Sequence, residues 1–340
     1  MSRILVTGGA GYIGSHMCVE LLQAGYDVVV VDNLSNSTAR SLQAVQRIAD
    51  RSLHFVEADL RDGEALRRLF DTHDIDAVIH FAGLKAVGDS VSRPVAYYDN
   101  NVCGTASLLT AMQRSSVKTL VFSSSATVYG LPATSPIDES FPTCPINPYG
   151  RTKLHIEHML RDLHHADPAW RISILRYFNP VGAHASGDIG EDPNDVPNNL
   201  MPYITQVAVG RLPRLRIFGS DYPTVDGTGV RDYIHVVDLA RGHLNALRWL
   251  KARPRLGVHN LGTGTGHSVL DVVRAFESVS GREIPYELVD RRVGDAATCF
   301  ANADLANREL GWQAEFDLRR MCEDAWRWQE QHPYGYRRES

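Results

Sequence analysis

The 340-residue chain is poor in cysteine, with five in all: Cys18, Cys103, Cys144, Cys299 and Cys322. No two stand as Cys-x-x-Cys, and an odd count argues against a disulfide framework and for a reducing compartment. Long apolar runs are also missing. No stretch nears the ~20 residues that span a bilayer. The start, Met1-Ser-Arg-Ile-Leu-Val-Thr-Gly-Gly, turns glycine-rich before a signal-peptide core can form. There is no block of positive charge, and the net charge is −5, so the footprint of a phosphate-tracking nucleic-acid binder is lacking. Fourteen histidines include no His-Glu-x-x-His. His155-x-x-His158 has no carboxylate or cysteine at metal spacing, so no metal is expected. His80 and His235, in or beside apolar runs, read as satisfied core histidines. The expectation is a soluble, cytoplasmic protein with no membrane or nucleic-acid partner and no metal.

What is present is alternation. Short runs rich in Val, Ile, Leu and Phe occur at Arg3–Thr7, Asp27–Asp32, Leu53–Glu57, Ala77–Phe81, Thr119–Ser123 and Arg171–Arg176. Such near-continuous runs suit parallel strands buried on both faces. Between them lie stretches long enough for crossover helices, such as Tyr12–Gln23 and Pro94–Arg114. Repeated β-α units predict an α/β fold with a doubly wound parallel sheet. After residue 180 the texture changes. Residues 181–232 are rich in Gly, Pro, Asn and Asp with little periodicity, which marks a functional segment. Strand-like runs return at Tyr233–Val237 and Gly257–Asn260, and the remainder reads mainly helical. The division expected is residues 1–180, rejoined by about 233–262, and a smaller substrate-binding part within 181–340.

Thr7-Gly8-Gly9-Ala10-Gly11-Tyr12-Ile13-Gly14 follows the first strand and opens the first helix, and Gly9-x-Gly11-x-x-Gly14 fits the dinucleotide fingerprint. The glycines serve a tight turn, close approach of backbone to pyrophosphate, and close helix–strand packing. The helix N-terminus offers free N–H groups and positive dipole to the phosphates. The second strand ends at Asp32, near the expected ribose-binding position. A carboxylate there accepts from a 2′-hydroxyl and repels a 2′-phosphate, which favours NAD over NADP. Gly262-x-Gly264-x-Gly266 lacks this spacing. It reads better as a turn, with Ser268 capping a helix that begins at Val269, than as a second phosphate site.

Asn147-Pro148-Tyr149-Gly150-Arg151-Thr152-Lys153 has a helix-start pattern, with Asn147 as N-cap and Pro148 in the first turn. Tyr149 and Lys153 then share a face. A free phenol has a pKa of about 10, and a nearby ammonium, a helix N-terminus and a nicotinamide cation all favour its ionised form. Bringing it to neutrality needs about 4 kcal/mol. Phe122-Ser-Ser-Ser-Ala-Thr-Val-Tyr-Gly130 ends the fifth strand, at the carboxyl edge where open parallel sheets bind ligands. Ser125 is the preferred hydroxyl there, Ser124 the second choice. At least one of the three serines is expected to satisfy loop backbone instead.

These residues carry a resemblance. Thr7–Gly14, His80-Phe-Ala-Gly-Leu-Lys-Ala-Val-Gly88, Tyr97-Tyr-Asp-Asn-Asn101, Phe122–Gly130, Tyr149–Lys153, Leu175–His184 and Asp221–His235 resemble the UDP-glucose 4-epimerases (UDP-galactose 4-epimerases), a branch of the extended short-chain dehydrogenase/reductase family, nearly end to end. The resemblance implies a Rossmann-type sheet with a smaller C-terminal domain, a homodimer built on helices around Pro94–Arg114 and Pro148–Asp167, and NAD that stays bound. It implies that Tyr149 takes the proton of the sugar 4-hydroxyl while hydride leaves C4. The flat 4-keto sugar turns, and hydride and proton return on its other face. Ser125 would share the sugar oxygen with Tyr149, and Lys153 would hold the nicotinamide ribose. The implied cofactor contacts are Gly8, Gly11, Tyr12, Ile13 and Gly14 in the glycine turn, then Asp32, Asn33, Asn36, Ser37, Asp59 and Leu60. Further along they are Phe81, Ala82, Gly83, Lys85, Asn100, Ser123, Tyr177 and Pro180, besides Tyr149 and Lys153. The implied nucleotide-sugar contacts are Lys85, Phe178, Asn179, Asn199, Leu200, Phe218, Arg231, Tyr233, Arg292 and Asp295. The two arginines suit a diphosphate, which guanidinium grips with two donors.

One position departs from the best-known bacterial members. Cys299 stands where they carry a bulky tyrosine beside the sugar. Members with a small residue there admit a C2 N-acetyl group, so interconversion of UDP-GlcNAc and UDP-GalNAc is expected besides that of UDP-glucose and UDP-galactose. The bland reading of Cys299 is a small buried residue without a selectivity role. A nucleotide-sugar 4,6-dehydratase would carry an Asp-Glu pair before Val-Tyr-Gly, where this chain has Ala126-Thr127. A net dehydrogenase would release NADH at each turn. A non-catalytic NAD-binding scaffold would not need Tyr149 and Lys153 in this context.

Overall fold

The computed structural model describes residues 2–193, 196–252, 255–292 and 294–336. Residues 194 and 195 of the irregular segment, and the last four of the expected second part, lie outside the described residues.

Six strands form where the β-branched runs predict them: β1 Arg3–Thr7, β2 Asp27–Asp32, β3 His54–Glu57, β4 Ala77–His80, β5 Thr119–Ser125 and β6 Arg171–Tyr177. Three more strands follow, β7 Asn179–Val181, β8 Leu215–Phe218 and β9 Val230–His235, before β10 Leu256–Leu261. The main sheet has seven strands in the order β10-β6-β5-β4-β1-β2-β3. All its pairings are parallel. The order reverses between β1 and β4, which opens a crevice at the carboxyl ends of the strands.

Alternation along each strand feeds two cores. Ile4, Val6, Val28, Val30, Ile79, Val121 and Leu175 face the helices Tyr12–Gln23, Ala39–Ala49 and Val236–Lys251. Leu5, Val29, Val31, Val78, Leu120, Phe122 and Ile174 face the helices Gly63–Thr72, Gly104–Arg114 and Pro148–Ala166. Each such side chain contributes about 1.5–3 kcal/mol by leaving water. The near-continuous apolar runs are therefore a consequence of two covered faces.

A smaller sheet gathers β9 with β7, β11 Gly266–Ser268 and β13 Thr298–Cys299. A two-stranded ribbon pairs β8 with β12 Tyr286–Val289. Both pack on a core of Met201, Ile204, Leu215, Ile217, Val272, Phe276 and Met321. Three features differ from expectation. The run beginning at Tyr233 does not rejoin the main sheet, since it belongs to β9 in the smaller one; the return is made by β10. The segment 181–232 is not wholly irregular. Met201, Ile204 and Val207 give the helix Leu200–Ala208 a buried face behind its proline-rich approach. And Pro94–Arg114 is not one α-helix: a π-helical turn at Tyr98–Cys103 separates Pro94–Tyr97 from Gly104–Arg114. The wide turn accompanies buried Asn101, which holds the loop after β4 through both backbone groups of Leu84, at 2.8 and 3.0 Å.

The glycine turn is built on close approach. Gly8 has φ +69°, and a Cβ there would lie 2.7 Å from the Ala82 nitrogen. A Cβ on Gly14 would lie 2.2 Å from the Gly8 carbonyl oxygen. Gly14→Ala should therefore force the turn apart, costing about 2 kcal/mol or more. The checks are a lower Tm by calorimetry and loss of dinucleotide from the purified protein.

Candidate active site

Helix Tyr12–Gln23 begins behind Gly11 with no side-chain cap, so its first N–H groups face the crevice. Asp32, at the end of β2, accepts from the Ala10 N–H at 3.0 Å with one oxygen. Its other oxygen takes the Leu34 N–H and the Ser37 hydroxyl, both at 2.9 Å. A carboxylate has about four lone-pair sites, so roughly one is left for a ribose hydroxyl. Asn33 donates to Asp59 at 2.9 Å. Arg61, hydrogen-bonded to Asp59, holds that carboxyl well below the usual carboxylate range. Leu60 is buried beside it, Asn36 is exposed, and Ile13 packs on the core behind the turn. Tyr12 donates to the Gly182 carbonyl at 2.7 Å, two residues past Pro180. A cradle that any Cβ would fill, an uncapped helix start and a strand-end carboxylate together fit a dinucleotide.

On the far side of the crevice the loop after β4 carries Phe81, Ala82, Gly83 and Lys85. The Phe81 ring lies 4.7 Å from that of His243. Asn100 accepts from the Leu84 N–H at 3.3 Å. Asn101 also donates to the Thr152 hydroxyl at 3.0 Å, tying this loop to the Tyr149 helix. Asn101 lies within the Tyr97–Asn101 motif, yet its residue type and spacing give it no role. Its place inside a π-helical turn is the signal that a backbone reveals and a sequence does not.

The helix Pro148–Ala166 starts as the sequence predicts. Asn147 caps it by accepting from the Gly150 N–H at 2.8 Å, with proline in the first turn. Tyr149 and Lys153 share its buried face. Lys153 donates to the Ser123 carbonyl at 2.8 Å, with its ammonium 5.0 Å from the Phe122 ring and 6.0 Å from the Tyr149 ring. Burial pulls Lys153 down to about 8, against the charge of Glu157. Burial pushes the Tyr149 phenol up to about 12, while a hydrogen bond with Ser125 pulls it back. Among the protein's own groups, burial is the largest influence on the phenol, and it raises it.

Pleating separates the three serines. Ser125 and Ser123 point one way and Ser124 the other. Ser125 accepts from the Thr127 N–H and hydroxyl, at 3.2 and 2.9 Å. Ser123 bonds the His243 ring at 2.9 Å. Ser124, the second choice, is fully buried and donates to Glu157 at 2.6 Å, which removes it from the crevice. Tyr177 pairs in register with Ser125.

The remaining predicted residues come from the smaller sheet, the β8–β12 ribbon and the loops around them. Asp295 joins Arg292, at 3.0 Å, to Arg231, at 3.9 Å. The Arg292 guanidinium lies 4.7 Å above the Phe218 ring. Arg231 stands opposite Cys299 in β13, and Asn179 opposite buried Tyr233. Cys299 packs against a cluster that includes buried Phe178 and Tyr129. Asn199 and Lys85 both donate to Glu191, each at 2.8 Å, and Leu200 opens the helix behind Asn199. Glu191, which joins two predicted ligands, carried no motif by which a sequence reading finds it.

The Gly262 loop is spoken for. The N–H groups of Thr263 and Gly264 donate to Asp232 at 2.9 and 3.0 Å. Ser268 forms a capping box with Asp271. The turn-and-cap reading holds. His80 and His235 are satisfied in the core: His80 bonds Thr7 and Thr105 at 2.6 and 2.8 Å, and His235 bonds Asp324 at 3.2 Å.

A crevice of this build defines a class: a dinucleotide-dependent enzyme that moves hydride and proton at an alcohol carbon, with a phenol, an ammonium and a hydroxyl on the sheet edge. Residues 4–262 match the family described as NAD dependent epimerase/dehydratase, and the chain belongs to that family. It is 62% identical over 334 residues to the UDP-glucose 4-epimerase of Bacillus subtilis, covering 98% of each chain. Among solved structures it superposes with TM-score 0.96 on the UDP-glucose 4-epimerase of Stenotrophomonas maltophila with bound NAD and formylated UDP-arabinopyranose. That protein is 54% identical, with 98% of this chain and 99% of that one covered. The Bifidobacterium longum UDP-glucose 4-epimerase in complex with NAD+ and UDP superposes equally, with TM-score 0.96, at 51% identity, covering 98% and 100%.

Asp32→Ala removes a charged acceptor, and each such hydrogen bond contributes about 1.5–3 kcal/mol. NAD retention should fall roughly ten- to hundredfold, with less discrimination against NADP. Equilibrium dialysis against each dinucleotide measures both.

Proposed function

We propose that the chain is a UDP-glucose 4-epimerase, inverting C4 of UDP-hexoses through a transient 4-keto intermediate with NAD retained between turnovers. The observation that carries the reading is the buried Tyr149 phenol one helical turn from Lys153 and beside the Ser125 strand end, at the edge of a glycine-lined crevice. Bound NAD supplies the acceptor and donor of hydride and a positive charge beside the phenol.

Each residue then has a task. Tyr149 accepts the proton of the sugar 4-hydroxyl and later returns it. Ser125 donates to the sugar oxygen and steadies it. Lys153, anchored on the Ser123 carbonyl, presents its charge to the phenol and the nicotinamide ribose. Gly8, Gly11, Gly14, Asp32 and the loop Phe81–Lys85 hold the dinucleotide. Arg231 and Arg292, preset by Asp295, grip the diphosphate. Phe218 stacks beside them, and Asn179, Asn199, Leu200 and Tyr233 complete the nucleotide side. Firm binding of UDP and loose binding of the hexose leave the ketone free to rotate. Phe178 and Cys299 form the apolar wall on the sugar side, and the small thiol there leaves room for a C2 N-acetyl group.

Ala126 and Thr127, in the 3-10 turn after β5, bring no carboxylate to expel a C6 hydroxyl, so a 4,6-dehydratase is not favoured. The working division is a dinucleotide-binding part, residues 1–180 with β10 returning to it, and a sugar-nucleotide part from the rest. A homodimer through the Pro94–Arg114 and Pro148–Ala166 helices is supported by Val95, 79% exposed, and Cys103, also exposed on that segment. A cytoplasmic location is supported by five free cysteines. No helix among the described residues is long and apolar enough to cross a membrane.

Purified protein should convert UDP-galactose to UDP-glucose with no NAD added, and the absence of turnover would reject the reading. Tyr149→Phe should lower kcat about a hundredfold or more. The native enzyme should also turn over UDP-GlcNAc, and Cys299→Tyr should abolish that activity while sparing UDP-galactose. Product analysis by anion-exchange chromatography decides both.

A further inference from the structure

Beneath the catalytic face lies a buried ionic cluster that the chemistry above does not use. Glu157 sits one turn beyond Lys153 on the same helix and is completely buried, with Arg176 of β6 beside it and 4% exposed. Arg176 grips the carboxylate with two donors, Nε at 2.9 Å and Nη2 at 2.6 Å. Ser124 of β5 adds a third at 2.6 Å. The other end of Arg176 donates to the Tyr129 hydroxyl at 3.2 Å, which donates in turn to Asn260 of β10 at 2.7 Å. A single carboxylate thus ties the catalytic helix to two strands directly and to a third through its partner.

Stability alone does not account for such a pair. Well-packed apolar residues of similar size often hold a core as well or better, because both ions give up their hydration. What an ionic fork adds is direction: a bidentate guanidinium fixes the plane and the distance of the carboxylate. Resting on the reading of Tyr149 and Lys153 as the reacting pair, we propose that Glu157 is a positioning residue, locked by Arg176 and Ser124, that sets the catalytic helix in register with the ends of β5 and β6.

The surroundings of the ammonium support this. Its own helix presents Tyr149 and Glu157. From β5 come the Ser123 carbonyl and the Phe122 ring. β6 contributes Arg176, engaged with Glu157, and Tyr177 near Tyr149. β4 contributes His80, which burial holds neutral with its pKa near 3. Glu157 is the carboxylate whose charge opposes the burial of Lys153. Lys153 is charged below about 8 and loses its charge as pH rises through that value. Removing the Glu157 charge moves the loss to lower pH.

The test uses the full-length holoenzyme and Glu157→Gln. The expected result is a fall in kcat of about tenfold or more, since small misplacements of reacting groups cost that much. KM should stay within about twofold, because Glu157 touches no ligand. The alkaline limb of the kcat/KM profile should move to lower pH. Glu157→Gln strands a buried guanidinium, so the Glu157→Gln/Arg176→Gln double variant is measured alongside. It should regain Tm while keeping the lowered kcat and the displaced limb. A single or double variant that folds with native kcat and an unmoved limb overturns the proposal, as does a double variant that recovers both along with Tm. Failure of the underlying reading is separate: it shows as native protein without epimerase activity, or as Tyr149→Phe with full activity.

Discussion

Desolvation of a phenol and an ammonium on one helical turn is the constraint on which this molecule is organised. Left to itself, burial opposes ionisation of both, raising Tyr149 and lowering Lys153. The protein answers with local polar groups whose geometry the fold sets: the Ser123 carbonyl for the ammonium, the Ser125 hydroxyl for the phenol, and the Glu157 carboxylate one turn away. None of these forces is large alone in water. In a dry crevice each is strengthened, because the competing solvent is gone. The same dryness makes a misplaced or unpaired group costly, which is why the supporting residues are themselves locked by hydrogen bonds.

The sheet supplies the rigidity for this. Seven parallel strands with apolar residues on both faces put the carboxyl ends of β1, β4, β5 and β6 along one rim. The glycine turn, the Phe81–Lys85 loop, Ser125 and Tyr177 all project from that rim. In the smaller sheet, Arg231 and Cys299 stand in register on neighbouring strands. In the proposed function, the cofactor side is thus built on backbone close approach and the sugar-nucleotide side on arginines preset by Asp295. This contrast suits a reaction in which one ligand stays and the other exchanges.

Several parts of this were legible in the residues. The strands were, because burial on two faces demands continuous Val and Ile runs such as Val28–Val31. The glycine turn was, because a Cβ at Gly8 or Gly14 has nowhere to go. The start of the Tyr149 helix was, because Asn147 and Pro148 signal it locally. Less legible were features with no local signature. The π-helical turn at Tyr98–Cys103 arises with Asn101 reaching a distant loop and helix. The helix Leu200–Ala208 lay hidden behind glycine- and proline-rich sequence, and β9 went to the smaller sheet although its apolar residues suit either.

The sequence by itself determined the elements whose causes are local: caps, glycine turns, strand periodicity and the spacing of Tyr149 from Lys153. Tertiary structure alone decided where the Ser124 hydroxyl goes, since only pleat and neighbours send it to Glu157 while Ser125 meets Thr127. It decided how deeply the phenol is buried, and burial raises it, because dielectric surroundings are a property of packing. It also brought Glu157, Arg176 and Ser124 together from a helix and two strands. Local propensity carries no information about which distant donor will meet a buried carboxylate; closure of the sheet does.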